Sequence, residues 1–189
     1  MKNRFKIFTL LILTSFICST NLNSKSKRGN PSIAIVVDSE VLEKCKNSID
    51  SYAASIEADG LKAIVVEERW GVPDSIRGEL KRLYSSKNLE GAVFIGEIPI
   101  PMIRNGQHLT TAFKMNQNRA WEQSSVPSDR FYDDFDLQFK FLKQDANKKL
   151  LFYYSLTPES AQTINCDIYS CTQCCTTRFT IWFNDDIKR

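Results

Sequence analysis

The sequence predicts an α/β domain built on a parallel sheet of about four strands flanked by helices. Three observations predict it. Short β-branched or apolar runs at residues 32–38, 61–66 and 92–95 are each bounded by turn or cap signals. Two amphipathic segments alternate with these runs, their apolar residues recurring at three-to-four spacing. The connections are short, so the strands lie parallel through right-handed crossovers, with one helix on each face or both on one.

The 189 residues give room for one domain with a core large enough to fold without disulfide staples. The formal net charge of +3 is carried by Lys2, Arg4 and Lys6, leaving 22 basic against 22 acidic residues in the rest. A nucleic-acid partner therefore has no electrostatic footing.

Residues 1–20 have the shape of a secretory signal peptide, with a basic start, an apolar stretch over 8–17, then Ser19 and Thr20. The apolar stretch is too short for a stable membrane span. A lipid-attachment role for Cys18 is disfavoured, because bulky Phe16 and Ile17 stand where small residues precede such a cysteine. Cleavage near 19–21 and export, to the periplasm, cell surface or medium, is the expectation. Residues 21–31 are polar and basic and read as a linker.

The first strand, 32–38, ends in Asp38. An acid at that place most often caps the next helix; Ser39 offers a second cap. Val41, Leu42, Cys45, Ile49, Tyr52, Ala53 and Ile56 form the inward stripe of that helix, and Gly60 stops it. The turn over 37–40 holds no glycine, which excludes close backbone approach to a pyrophosphate and hence a dinucleotide site. After the second strand, Pro73 and Asp74 open a helix with Ile76, Leu80, Leu83 and Tyr84 inward, and Arg77, Glu79, Lys81 and Arg82 toward water. Lys87 and Asn88 end it.

The stretch 89–103 organises the rest. Ala92, Val93, Phe94 and Ile95 between Gly91 and Gly96 read as a strand covered on both faces. Ile98-Pro99-Ile100-Pro101 reads as a stiff exit from its carboxyl edge, the edge at which open α/β sheets hold ligands. Residues 104–125 are a polar surface excursion around Phe113 and Trp121. They contain the only histidine, His108, which reads as a solvated loop residue and not as a general base.

The densest motif is Pro127-Ser128-Asp129-Arg130-Phe131-Tyr132-Asp133-Asp134-Phe135-Asp136. Asp129, Asp133, Asp134 and Asp136 are the candidate metal ligands, since calcium takes several oxygens from a bent loop. The spacing lacks the glycine and terminal glutamate of an EF-hand. The alternative, which the sequence favours, is an acidic turn whose Phe131, Tyr132 and Phe135 dock on the sheet while the acids stay in water.

These residues, in order, resemble the gingipain-like cysteine peptidases. The resemblance rests on a strand ending Phe-Ile-Gly-Glu-Ile-Pro, the Pro-Ser-Asp motif with aromatics and acids, and Asn165-Cys166-Asp167-Ile168-Tyr169-Ser170. It covers about residues 32–170. It implies a caspase-like first subdomain whose last strand lies near 167–170, and thiolate attack on a polypeptide substrate with histidine assistance. The family's Cys and His belong to a second subdomain, the His in a Gly-His-Gly type turn that these 189 residues do not contain. The resemblance thus implies a leading subdomain without catalytic residues, which meets a polypeptide substrate only when the catalytic half is supplied.

Residues 171–189 depart from the family pattern. Cys166, Cys171, Cys174 and Cys175 raise a zinc or redox site, but four thiolates from one short segment make poor tetrahedral geometry. An exported chain would oxidise them instead. Two readings of this tail stand level: a segment out of frame or past a break in a longer peptidase gene, and a divergent strand over 179–183. Three functions follow from the sequence: the peptidase fragment, an exported binding module using the loop and turn over 104–136, and a remnant with an exposed sheet edge.

Overall fold

A computed structural model, describing residues 29–109, 115–163 and 165–173, shows how the alternating runs pack. The first half contains β1 (Ser32–Asp38), α1 (Ser39–Ala58), β2 (Lys62–Glu68), α2 (Pro73–Lys87) and β3 (Leu89–Ile95). With β8 (Tyr169–Gln173) these strands form one sheet in the order β2-β1-β3-β8, parallel throughout. This is the predicted α/β class, a parallel sheet of four strands flanked by helices.

The period-two pattern of β1 divides its side chains between two helices, one on each face. Ile35 and Val37 join Ile95 and the α1 residues Ile49 and Ile56. Ala34 and Val36 join Ala92, Phe94 and the α2 residues Ile76, Leu80 and Leu83. Both faces of β1 and β3 are covered, which is why their sequences run apolar without alternation.

Local chemistry sets the helix ends. The Asp38 side chain accepts from the Glu40 N–H at 3.0 Å, so Asp38, rather than Ser39, caps α1. Gly60, at φ +85°, follows the end of α1, a conformation glycine enters without strain. Pro73 stands in the first turn of α2, and Asn88 closes it in the left-handed region. The stripe predicted for α1 is narrower than expected. Cys45 breaks the helical backbone (φ −122°, ψ 20°), and Cys45 and Tyr52 face solvent, while Ile49 and Ile56 are buried with Val41, Leu42 and Ala53 half-buried against the same cluster.

The second half departs from the reading of 98–101 as an exit. It contains β4 (Ile100–Arg104), a 3-10 turn at Gln107–Leu109, α3 (Trp121–Ser124), β5 (Val126–Pro127), α4 (Arg130–Asp133), β6 (Phe139–Gln144) and β7 (Leu151–Leu156). The strands form a second sheet in the order β5-β4-β7-β6, with β4 and β7 parallel and the outer pairs antiparallel. Pro101 fits inside β4 because its carbonyl accepts Ser128 N–H on the β5 side. Its missing donor points the same way, toward the short outer strand β5 and away from β7, so the ladder between β4 and β7 loses nothing.

The two sheets share a core. Ile103, Phe152 and Tyr154 of the second sheet lie in the same apolar cluster as α2, Phe94 and Tyr132, and the Tyr154 hydroxyl donates to Asp74 at 2.5 Å. The 104–125 excursion is also less superficial than expected. Gln107, Ser124 and Ser125 are buried, and Gln107 and Gln117 both donate from Nε2 to the Ser124 carbonyl. Among the described residues no helix is long and apolar enough to cross a membrane. The expected signal peptide over 1–20, Cys18, linker residues 21–28, Phe113, Cys174, Cys175 and the strand expected over 179–183 lie outside the described residues.

Candidate functional site at the acidic turn

The carboxyl edge of the parallel sheet is closed by apolar packing. Trp70 is buried against it and donates from its indole N–H to the Val37 carbonyl at 3.2 Å. Gly96, at φ +99°, lets the chain leave β3 in contact with α1: a Cβ there would lie 2.7 Å from Val41 Cγ2. Asp38 is spent on its cap. An open recess of about 650 Å³, lined by Gly29, Glu57, Lys62 and Lys87 among others, lies at the opposite, amino edge. His108 is exposed on the 3-10 turn, and Cys45 and Cys166 are exposed free thiols.

The chemistry of the second half converges instead on the acidic motif. Ser128 and Asp129 start α4: the Ser128 Oγ accepts from Arg130 N–H at 3.3 Å, and the Asp129 carbonyl accepts from Tyr132 and Asp133 N–H. One turn of helix is enough to throw Phe131 and Tyr132 inward. Tyr132 packs on Phe94 with ring centroids 4.9 Å apart and donates to the Pro99 carbonyl at 2.7 Å. Burial pushes its hydroxyl well above the ordinary tyrosine range. Phe131 packs on Tyr154 and Phe139.

Arg77 corrects the expectation that it faces water. It is half-buried, and its Nη2 donates to the carbonyls of Asp134 at 2.9 Å and Leu137 at 2.7 Å. Its guanidinium lies 5.3 Å from the Phe131 ring centre and 5.5 Å from that of Phe139. Desolvation lowers its pKa, against the opposing fields of Asp74, Asp134 and Asp167. A guanidinium starts so high that it keeps its proton regardless.

Nor do the acids all stay in water. Asp133 and Asp134 are buried, while Asp129 and Asp136 are exposed. The buried pair is bound to the segment entering β8. The Asp133 carbonyl accepts from the N–H groups of Asp167 at 2.8 Å and Ile168 at 3.2 Å. Its carboxylate accepts from the Ser170 hydroxyl at 3.0 Å and pairs with Arg130 at 3.4 Å. The Asp134 carboxylate accepts from Asn165 N–H at 3.3 Å and Asp136 N–H at 3.2 Å. In return, the Asp167 carboxylate accepts from Phe135 N–H at 2.7 Å. Arg130 also contacts the Cys166 sulfur. Burial raises the Asp133 pKa, with Arg130 and Ser170 opposing.

The candidate calcium ligands are therefore near one another in sequence but not converged. Among the described residues no group of three or more His, Cys, Asp or Glu is placed to hold a metal ion. The oxygens of Asp133 and Asp134 are engaged by donors of the chain itself. The arrangement braces α2, α4 and the start of β8 around two buried acids, and the residues that complete it, Arg77, Asp167 and Ser170, were not legible as site residues in the sequence.

No family model, no curated protein and no solved structure matched the chain.

On the other face of the second sheet, away from Ile103, Phe152 and Tyr154, lies a second polar-aromatic cluster. Trp121 of α3 stacks near Arg104 at 5.7 Å and Lys143 at 5.3 Å from its ring centre, and Lys143 also approaches Tyr153 and pairs with Glu122. Burial and the Asp145 carboxylate push the Tyr153 hydroxyl up to about 12.

Proposed function

We propose that this chain is the leading, caspase-like α/β subdomain of an exported gingipain-like cysteine endopeptidase. It supplies scaffold and substrate-facing loops to proteolysis, and its own residues provide neither the nucleophilic Cys nor its His partner. One observation carries the reading. The two motifs on which the resemblance turns, Pro-Ser-Asp-Arg-Phe-Tyr-Asp-Asp and Asp-Ile-Tyr-Ser, lie 30 residues or more apart yet form one hydrogen-bonded unit through Asp133, Asp167 and Ser170. A parallel sheet with one helix on each face, ending in the strand that the Asp-Ile-Tyr motif opens, supports it further. Polypeptide is the substrate class, and export rests on the first twenty residues.

The test is hydrolysis of an unspecific peptide substrate by the purified chain. No hydrolysis sensitive to thiol alkylation is expected, and clear hydrolysis would refute the assignment of a scaffold without the dyad. Reading the locus in all frames from the Ser170 codon tests the family assignment separately. A Gly-His-Gly turn followed by a strand-terminal Cys is the expected find. Its absence would favour a binding module centred on Trp121, whose flanking Arg104 and Lys143 place cations against an aromatic surface.

A further inference from the structure

The four strands of the parallel sheet are not held alike. β1 lies between β2 and β3, and Ala34, Ile35, Val36 and Val37 are each at most 1 % exposed. Among the described residues β8 pairs with β3 alone, and its first residue, Tyr169, is 82 % exposed. Its next residue, Ser170, turns a hydroxyl to a carboxylate rather than an apolar side chain to the core. Ile168, just before the strand, is the buried apolar anchor. What fixes the approach to β8 is polar. Asp133 receives Asp167 N–H, Ile168 N–H and Ser170 Oγ–H, Asp134 receives Asn165 N–H, and Asp167 receives Phe135 N–H.

The acceptors are in turn held from the other side. Arg77 of α2 grips the carbonyls of Asp134 and Leu137, so the turn is anchored to the core independently of β8. A strand whose first two residues, Tyr169 and Ser170, set no apolar side chain into the core starts to open at a lower free energy than the buried strand it pairs with, because hydrogen bonds to a fixed partner exchange for bonds to water. We infer that β8 is a releasable edge strand, latched to the sheet by the Asp133–Asp134 turn and able to detach while β2-β1-β3, α1 and α2 stay folded. The latch is a clasp of hydrogen bonds on a rigid mount, and the moving part is the segment from Asn165 to Gln173. This inference goes beyond the peptidase reading and stands whether or not the chain serves proteolysis.

Hydrogen exchange read by mass spectrometry on the full chain tests it. In the wild-type protein, peptides covering 167–173 are expected to exchange at least about tenfold faster than those covering 33–37. Asp133→Ala is expected to speed exchange over 167–173 by about a further tenfold, the scale of a lost bond to a charged acceptor, and to leave 33–37 unchanged. Ser170→Ala removes a single hydroxyl and reads the same clasp if Asp133→Ala fails to fold. The inference is overturned if β8 exchanges in step with β1 in the wild type, or if Ser170→Ala speeds both regions by the same factor.

Discussion

Asp133 shows how one residue can be costly and useful together. Its carboxylate is buried beside a second buried acid, Asp134, and one guanidinium, Arg130, at 3.4 Å offsets part of the desolvation. The net effect is a pKa above the ordinary aspartate value of 3.8. The folded state therefore holds the Asp133 proton more tightly than the unfolded chain does. Its contribution to stability is complete below 3.8 and is lost as pH rises through the raised value. Asp133→Asn, which keeps an acceptor for Ser170 but carries no charge to desolvate, should lack this loss. Thermal melts of both proteins at fixed ionic strength should show the wild type falling relative to the variant as pH rises through that interval. The opposite slope would mean that the pair with Arg130 outweighs desolvation.

At the scale of the element, the β1–α1 junction separates two roles for an acid at a strand end. Asp38 is buried and accepts Glu40 N–H, one of the orphan donors of the first turn of α1. Asp38→Ala should cost about 1 kcal/mol in denaturant unfolding, and Asp38→Asn, which can still cap, should recover most of it. Equal losses in both variants would point to the charge rather than the cap. This junction, like α1, β2, α2 and β3, was legible because its signals are local: a period, a cap, a glycine. The second sheet was not. Prolines at 99 and 101 signal an exit, and only the pairing of Pro101 with Phe152, 51 residues on, makes a strand of it. The candidate site was half legible for the same reason. The acids stand together in sequence, but whether they are wet or buried depends on Arg77, whose bond to the Asp134 carbonyl spans 57 residues.

At the scale of the molecule, the question is whether two sheets make two units. A helix between them decides it. The buried face of α2, through Ile76, Leu80 and Leu83, belongs to one apolar cluster with Ala34, Val36 and Phe94 of the parallel sheet and with Ile103, Phe152 and Tyr154 of the second. Asp74 ties the same helix to Tyr154, and Arg77 ties it to the acidic turn. The two sheets thus lean on one set of side chains, and among the described residues neither has a separate core of comparable size on its facing side. Leu80 is fully buried in that set. Leu80→Ala should lower stability by about 2–5 kcal/mol, the cost of a core leucine truncated without full collapse of the cavity. The loss should appear as a shift of one cooperative transition, with far-ultraviolet circular dichroism and tryptophan fluorescence moving together. Both sheets report in such an experiment, since Trp70 packs at the edge of the first and Trp121 on the second. Separate midpoints for the two signals, or a shift in only one of them, would show that the second sheet is a unit of its own.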